Sequence, residues 1–383
     1  MKPPRITLVI SSLQSGGAER VLSTMANYWA ERGFLVSLIS LSQKSTDFYR
    51  TNLSIQRIEL NQSKTSRNIF EAIGANISRL TKLRKAIYQS QPDAVISFTD
   101  RINVLTLLST VGSQIPVIIS ERNDPTKRPI SLIWATLRRL VYKRATTLVM
   151  QTPSSAKWAE KIVERNKVSI IPNPVQQAEP GPAHPGNYLL AVGRLVHQKA
   201  YDVLIHAFSK ISSECPDINL IILGEGTDRP KLVALIKKLR LESRVSLPGV
   251  INNVSDYYRG AQAFVLSSRY EGFPNVLLEA MMHGCAVIST DYPTRPQLLK
   301  SQINGLLAIP EDPADLSKVM KLLIKNQVLR KKLGACAQET VQYFTVPNIM
   351  KKWNEVIEKI TSLELNQADN RATEIMGQAP RKE

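Results

Sequence analysis

Short apolar segments alternate with amphipathic segments along most of the chain, and this alternation constrains the fold more than any other feature. The apolar segments have the length of strands, and the stretch SGGAERVLSTMANYWAERG has the spacing of a helix. Strands that alternate with helices form parallel βαβ units with helices on both faces of the sheet. We therefore predict a doubly wound α/β fold. The predicted strands are ITLVISS, FLVSLISL, PDAVISF, IPVIIS, YLLAVGRL, INLIILGEG, RVSLPGV, AFVLSS and CAVISTD.

A proline-rich stretch, PNPVQQAEPGPAHPGN, interrupts this alternation near the middle of the chain. Proline lacks a backbone N–H and fixes φ, so the stretch is neither helix nor central strand. The 383 residues also exceed the roughly 250–300 at which one hydrophobic core stops growing. We predict two domains, 1–175 and 188–345, a linker at 176–187 and a disordered polar tail at 363–383.

The chain carries a formal net charge of +18, which is concentrated in its first half. Residues 1–180 hold 25 Lys and Arg against 12 Asp and Glu, a net charge of +13. Residues 181–383 hold 25 against 20, a net charge of +5. A basic half of this kind attracts nucleic acid, an anionic membrane face or a phosphorylated substrate.

The sequence argues against several other classes of protein. No apolar run approaches the roughly 20 residues that span a bilayer, and the Ile6–Ile10 run is typical of a buried strand, not of a signal peptide. Cys215, Cys285 and Cys336 are far apart, so we expect a reduced cytosolic protein. The four histidines form no H-E-x-x-H pattern, and we expect no metal site.

Gly16 and Gly17 separate the first predicted strand from the first predicted helix. Glycines at this place let the backbone approach a phosphate at the N-terminus of the helix. A simple tight turn explains them equally well. Neither a G-x-G-x-x-G nor a G-x-x-x-x-G-K-[ST] pattern occurs in the chain, so the common nucleotide signatures are absent.

Two later segments place charged residues at the predicted carboxyl ends of strands. In GRLVHQKAYD, Arg194 and Lys199 suit a diphosphate, although two solvated surface cations are the simpler explanation. In SSRYEGFPNVLLEAMMHG, Pro274 and Gly284 delimit a helix, with Glu271 just before it and Glu279 inside it. Two carboxylates beside helix N-terminal amides suit a ligand with phosphates and hydroxyls, and surface carboxylates remain the alternative. The amides in question belong to Asn275, Val276 and Leu277.

These segments resemble the retaining GT-B glycosyltransferases of family four, which use nucleotide sugars. The family's signature is two glutamates eight positions apart in a segment like EGFPNVLLEA, held here from Glu271 to Glu279. The G-R-L-x-x-Q-K block, from Gly193 to Lys199, precedes it at the expected distance. ISSLQSGGAERV resembles the opening loop of the family, and SFTDRINVL and SERNDP resemble a branch that builds bacterial polysaccharides.

The resemblance implies a GT-B fold, in which two Rossmann-like domains with parallel sheets face a deep cleft. The first domain would bind the acceptor and the second the nucleotide sugar. A C-terminal helix at 346–362 would cross back onto the first domain. The reaction would be front-face transfer with retention, without a metal or other cofactor, and UDP would be the expected carrier.

The resemblance also implies roles for individual residues. Arg194 and Lys199 would bind the donor diphosphate and stabilise it as it leaves, and Glu271 would hold the transferred sugar, so these three form the catalytic set. Glu279 would hold the ribose hydroxyls. The other donor contacts would be Gly16, Gly17, the backbone of Val250, and the amides of Asn275, Val276 and Leu277. The acceptor would contact Asp100, Asn103, Arg122 and Asn123, with Arg122 meeting the acceptor phosphate or, alternatively, the donor.

The chain departs from the family pattern in two places. Many relatives have a histidine in the loop after the fourth strand, where this chain reads Ser120-Glu121-Arg122-Asn123, so no histidine role is expected. Relatives often carry D-x-P-x-G-P-R-E, and here Arg295, Gln297 and Leu298 replace its Gly, Arg and Glu. The resemblance therefore implies neither the role of this loop nor its effect on the choice of donor.

Two basic amphipathic segments, ISRLTKLRKAIY and SLIWATLRRLVYKRA, suit helices that dock on an anionic membrane. Ordinary core-facing helices with a basic solvent face are the alternative. The charge of the first half, together with the lipid-linked acceptors of family members, favours the membrane. The predicted membrane residues are Trp134, Arg138, Arg139, Lys143 and Arg144, with Tyr142 near headgroup depth.

The sequence therefore predicts a glycosyltransferase that extends a lipid-linked glycan of capsule, exopolysaccharide or O-antigen at the inner face of the bacterial cytoplasmic membrane. A nucleotide-sugar 2-epimerase has a similar architecture and is the alternative enzyme. A basic, non-enzymatic protein that binds membrane or nucleic acid is the third hypothesis. We do not expect nucleic-acid binding, because the chain has no aromatic-and-basic RNA motif and no recognition-helix module.

Overall fold

A computed structural model describes residues 3–43, 45, 47–62, 69–127, 130–292 and 298–360, and the backbone alone of 69–73. The chain forms two compact units: unit 1 is Met1–Pro172 with Pro347–Glu383, and unit 2 is Asn173–Val346. The division falls at the start of the proline-rich stretch. The predicted tail at 363–383 lies outside the described residues.

Unit 1 contains a seven-stranded sheet of order β3-β2-β1-β4-β5-β6-β7, and every pair in it is parallel. Its central strands are covered by helices on both faces, which explains why they are continuous apolar runs without alternation. The strands are β1 Arg5–Ile10, β2 Leu35–Ser40, β3 Gln56–Glu59, β4 Ala94–Phe98, β5 Val117–Ser120, β6 Thr147–Met150 and β7 Val168–Ile170. The helices are α1 Gly17–Ala30, α2 Ile69–Ser90, α3 Asp100–Ser109, α4 Leu132–Val141 and α5 Pro153–Ala159, with short 3-10 turns at Tyr142–Arg144 and Arg165–Lys167.

Unit 2 repeats this plan with a six-stranded parallel sheet of order β10-β9-β8-β11-β12-β13. Its strands are β8 Tyr188–Val192, β9 Asn219–Leu223, β10 Val245–Gly249, β11 Ala263–Leu266, β12 Val287–Thr290 and β13 Leu306–Ala308. Its helices are α6 Tyr201–Ile211, α7 Arg229–Lys238, α8 Val254–Gly260, α9 Asn275–Met282, α10 Pro313–Lys325 and α11 Gln327–Val341, with 3-10 turns at His197–Lys199 and Gln342–Phe344.

A last helix, α12, covers residues 346–360 and packs within unit 1. Trp353 on this helix is fully buried, and its ring lies 6.2 Å from that of Phe98 at the end of β4. Next to it, Asn354 Oδ1 accepts a hydrogen bond of 2.8 Å from Trp29 Nε1 on α1. Helix α12 therefore completes the hydrophobic core of unit 1, to which β4 and α1 also contribute.

The doubly wound α/β fold predicted from the sequence is confirmed in both units. All nine predicted strands are present, and the structure adds β3, β6, β7 and β13. Among the residues described, no helix combines the length and the apolar character that a membrane span requires.

Candidate active site

Each sheet has one point at which the strand order reverses direction. In unit 2 this switch point lies between β8 and β11, and in unit 1 between β1 and β4. Loops that leave neighbouring strands in opposite directions open a crevice there, which is where doubly wound folds bind ligands. The sequence-predicted residues Arg194 and Lys199 follow β8, and Glu271 follows β11. The predicted set therefore flanks the switch point of unit 2.

The turn after β8 is fixed by close contact between its backbone and the backbone at the end of β9. Gly224, at the end of β9, has φ +135°, and a Cβ on it would lie 2.0 Å from the carbonyl oxygen of Gly193. Only glycine fits at such a position. The turns that follow β8 and β9 are thereby held against each other beside the switch point.

Lys199 and Glu271 form an ion pair across this point. Lys199 Nζ lies 2.6 Å from Glu271 Oε1, and the two side chains are 12% and 9% exposed. The fully buried Ser268 donates from Oγ to the same carboxylate oxygen over 2.6 Å. We predicted separate partners for these two charged residues, the diphosphate and the sugar, and the structure joins the two residues in one cluster.

Gln198 connects the loop after β8 to the loop after β11. Its Nε2 donates to the carbonyl oxygen of Tyr270 over 2.9 Å and to Glu271 Oε2 over 3.2 Å. Ser267 Oγ donates to the carbonyl oxygen of Lys199 over 2.8 Å. Both oxygens of the Glu271 carboxylate are therefore held by named donors. Gln198 and Ser268 were not predicted as site residues, although Gln198 is the glutamine of the G-R-L-x-x-Q-K block. Ser268 lies in a loop and belongs to no pattern that marks it.

Tyr201, the first residue of α6, is buried near Glu271. Burial, and then the charge of Glu271, raises the pKa of this phenol well above its usual value. Tyr201 is therefore a neutral neighbour of the cluster.

Glu279 lies in α9 and is also mostly buried. Its Oε2 accepts a hydrogen bond of 3.2 Å from the hydroxyl of Tyr258 on α8. The ring of Tyr258 stacks on that of His283 with 5.3 Å between centroids, and His283 Nδ1 lies 2.8 Å from the carbonyl oxygen of Glu279. These contacts fix the orientation of the Glu279 carboxylate.

The start of α9 differs in one respect from the prediction. The helix begins at Asn275 after Pro274, and Gly284 follows its end with φ +68°, much as the sequence indicated. However, the Leu277 N–H donates to the carbonyl oxygen of Pro274 over 3.0 Å. This amide is engaged inside the first turn, so Leu277 is a poor donor to a ligand phosphate, whereas Asn275 and Val276 remain predicted donors.

The other predicted donor contacts lie in loops. Arg194 is exposed in the turn after β8, and Val250 is 48% exposed directly after β10. Gly16 and Gly17 follow β1 at the switch point of unit 1, where the carbonyl oxygen of Gly16 accepts from the Tyr49 hydroxyl over 3.1 Å. Of the atypical loop with Arg295, Gln297 and Leu298, residues 293–297 lie outside the described residues, and Leu298 is buried.

Of the predicted acceptor residues, Asn103 has no exposed surface. Its Nδ2 donates to the carbonyl oxygen of Ser120 and to the Tyr142 hydroxyl, over 3.0 and 3.2 Å, and its Oδ1 accepts from Ser97 Oγ over 2.8 Å. This buried amide is therefore not accessible for direct contact with an acceptor. Asp100, one turn earlier at the start of α3, is partly exposed and accepts from the Arg101 N–H over 2.7 Å.

Arg122 and Asn123 lie in the loop after β5. The Arg122 guanidinium carbon is 3.5 Å from the ring centroid of Phe98 and 5.7 Å from that of Trp353. Burial between these rings lowers the pKa of Arg122 well below its ordinary value. Asn123 is partly exposed beside it. Arg122 is only 8% exposed, so the loop holds this guanidinium against the aromatic rings at the carboxyl end of β5.

Three of the predicted membrane residues do not face solvent as expected. Arg138 is 8% exposed, lies 3.7 Å from Glu121 and sits 4.6 Å above the ring of Trp158. Trp134 is only partly exposed and packs against the core, and Tyr142 is completely buried. The prediction was wrong for these side chains because α4 is apolar on two sides, and one side belongs to the core. Arg139, Lys143 and Arg144 are exposed as predicted.

Comparisons with known proteins identify the family of the chain. The family model described as "Glycosyl transferases group 1" matches residues 173–340, and "Glycosyltransferase Family 4" matches 15–179. A Campylobacter jejuni 4-alpha-N-acetylgalactosaminyltransferase, named for a diphospho-undecaprenol-linked substrate, is 30% identical over 85% of this chain and 92% of its own. The chain belongs to the family-four glycosyltransferases.

Further comparisons concern a second relative and two solved structures. A second Campylobacter jejuni N-acetylgalactosaminyltransferase, also named for a diphospho-undecaprenol-linked glycan, is 28% identical over 93% of this chain and 99% of its own. Among solved structures, sucrose-phosphate synthase from Thermosynechococcus elongatus has a TM-score of 0.83 at 16% identity, covering 94% of this chain and 100% of that one. Anabaena HepE in complex with UDP has a TM-score of 0.74 at 15% identity, covering 93% and 100%. These two structures show the shared GT-B fold.

Proposed function

We propose that this glycosyltransferase transfers a hexose or N-acetylhexosamine, with retention, from a UDP-sugar to a lipid-linked glycan in capsule, exopolysaccharide or O-antigen synthesis. The observation that carries the proposal is the cluster of Lys199, Glu271 and Ser268 at the switch point of unit 2. It combines a cation for a leaving diphosphate with a firmly oriented carboxylate for sugar hydroxyls.

The cluster supplies charge where the reaction needs it. When the bond between the sugar and the diphosphate breaks, negative charge grows on the diphosphate, and preorganised cations there lower the barrier. Lys199 has a flexible stem and Arg194 a fork of donors, so both can follow a diphosphate. These cations compensate the charge without a metal ion, and we propose a metal-independent reaction.

Glu279 is placed to accept hydrogen bonds from the ribose of the donor. Its carboxylate is oriented by the Tyr258 hydroxyl, and a carboxylate in a partly dry site forms strong hydrogen bonds with hydroxyl groups. The UDP in the HepE structure supports UDP as the carrier, and the names of the two Campylobacter relatives support a diphospho-polyprenol-linked acceptor.

The exposed face of α4 suits the membrane surface at which such an acceptor is embedded. Leu132, Ile133 and Leu140 are 85%, 72% and 63% exposed on this helix. Residues 132–144 include no acidic side chain, and Arg139, Lys143 and Arg144 lie exposed beside the apolar residues. An apolar stripe with a basic border binds anionic lipid, so we propose peripheral association with the inner face of the cytoplasmic membrane.

A donor screen tests this function. Purified protein is examined by thermal shift and by donor hydrolysis with UDP-, GDP- and ADP-sugars, with and without EDTA. We expect one UDP-sugar to stabilise the protein equally in both conditions, and we expect Glu279→Ala to remove the effect. Glu242→Ala, a change of the same kind at an exposed position of unit 2, is the matched control. No response to any UDP-sugar, or a response that EDTA abolishes, contradicts the corresponding part of the proposal.

A further inference from the structure

A continuous chain of buried polar side chains runs beneath the loop that carries Arg122. Ser97 at the end of β4 donates to Asn103 of α3, and Asn103 donates to the hydroxyl of Tyr142. Tyr142 in turn donates to Glu121 Oε1 over 2.6 Å, and Arg138 Nη1 lies 3.7 Å from the same oxygen. The chain therefore connects two strand ends with α4 and the turn that follows it.

These side chains are shielded from water, so each of them needs a hydrogen-bond or charge partner within the protein. Glu121 is 2% exposed, Tyr142 0% and Arg138 8%. A buried carboxylate is tolerated when donors and an opposite charge satisfy it, and removal of one partner leaves an uncompensated charge. Burial, and then the charge of Glu121, raises the pKa of Tyr142 well above its usual value, so the phenol keeps the proton that it donates. The hydrogen bond from Tyr142 and the charge of Arg138 thus both hold the Glu121 carboxylate in place.

Glu121 is bonded through the backbone to Arg122, and the Glu121 N–H is itself held by the carbonyl oxygen of Val149 over 3.2 Å. We propose that Tyr142 and Arg138 are positioning residues for the acceptor: through Glu121 they fix the loop after β5, and the loop then presents Arg122 and Asn123 to the diphosphate of the lipid-linked acceptor. The inference rests on the proposed function and deepens it. Arg138 thereby acts inside unit 1, although the basic pattern of α4 suggested a lipid contact.

An exposed arginine in another part of unit 1 offers a matched control. Arg165 carries the same charge as Arg138, and its side chain is 90% exposed. Transfer to undecaprenyl-diphosphate-linked N-acetylgalactosamine in detergent micelles is measured with the UDP-sugar that the screen selects, and donor hydrolysis without acceptor is measured in parallel. We expect Tyr142→Phe to raise the acceptor KM about fivefold and to leave donor hydrolysis and donor KM unchanged. Arg138→Met should raise the acceptor KM more, and Arg165→Met less than about twofold.

A double variant separates positioning from general loss of structure. Arg138→Met leaves the carboxylate of Glu121 without its cation, and Glu121→Gln/Arg138→Met removes both charges while the amide still accepts from Tyr142. We expect the double variant to recover an acceptor KM within about threefold of the wild type. An unchanged acceptor KM in Tyr142→Phe, or an equal loss of donor hydrolysis and transfer, overturns the inference alone. If the wild type hydrolyses the donor but does not transfer to this acceptor, the proposed acceptor class fails and the inference fails with it.

Discussion

Lys199 Nζ lies 2.6 Å from Glu271 Oε1, so the cation that we propose for the diphosphate is already paired with the carboxylate that we propose for the sugar. The pair sets the geometry of both groups. A diphosphate carries more negative charge than one carboxylate, so it competes for Lys199 while Ser268 and Gln198 continue to hold Glu271. In the proposed reaction, the ion pair orders the site before the donor binds, and Lys199 then moves to the diphosphate.

Lys199→Met should lower kcat/KM for the donor by about a hundredfold or more, because a preorganised charge at the leaving group is lost. Steady-state donor hydrolysis measures the effect. Lys210→Met, which removes an exposed lysine from α6, is the control and should stay within about twofold of the wild type. Equal rates for the two variants would exclude Lys199 from the reaction.

Tyr258→Phe should weaken the binding of UDP about fivefold, because the Glu279 carboxylate loses the hydrogen bond that orients it. Calorimetry with UDP and with 2′-deoxy-UDP identifies the cause. If Glu279 holds the ribose, the wild type prefers UDP and the variant discriminates less. Tyr343→Phe removes a phenol hydroxyl at a position that is 76% exposed and should bind like the wild type. An unaltered preference in Tyr258→Phe would contradict the ribose role.

Replacement of Arg139, Lys143 and Arg144 by Ser should weaken binding to phosphatidylglycerol vesicles about a hundredfold at low salt, since each cation near an anionic surface contributes about 1 kcal/mol. Vesicle co-sedimentation measures it. Replacement of the exposed Lys231, Lys237 and Lys238 of α7 by Ser removes the same charge from unit 2. The surface assignment fails if both triple variants lose binding equally, because net charge alone would then explain the attraction.

The thiols should differ in reactivity. Burial raises the pKa of Cys285 to about 12, so this group is protonated at pH 8 and loses reactivity, because the thiolate is the nucleophile. Cys215 is also buried, whereas Cys336 is partly exposed. We expect a disulfide reagent at pH 8 to modify Cys336 in the native protein and all three thiols after unfolding. Rapid modification of native Cys336→Ser would show that the core of unit 2 opens readily.

The sequence predicted every strand inside the sheets except β6, and it missed three of the four edge strands. Buried central strands are uniform apolar runs, so β1, β4, β8 and β11 stand out. The edge strand β3 reads QRIE and is partly exposed, β7 has three residues, and β13 has three. Such segments form because a neighbouring strand provides the hydrogen bonds, and their own composition carries little signal.

The candidate site shows the same division. The charged residues at strand ends were predictable, because parallel strands bring their carboxyl ends to one edge of the sheet. The burial of Arg138 and the exposure of Arg139 were not predictable. Both are basic residues of one helix, and the contacts of Arg138 with the buried Glu121 and the partly buried Trp158 decide which of the two turns inward. Contacts between residues far apart in sequence decide which side chain is buried, and the periodicity of one helix does not reveal these contacts.

The return of the chain to unit 1 has a consequence for its synthesis. Trp29 and Asn354, 325 residues apart, share a hydrogen bond inside a unit whose core also needs the buried Trp353. A ribosome makes the chain from its N-terminus, so all of Asn173–Val346 is translated before the residues that close the first core. Unit 2 can complete its folding on the ribosome. In unit 1, Phe98 and Trp29 lack their contacts with α12 until that helix has been released.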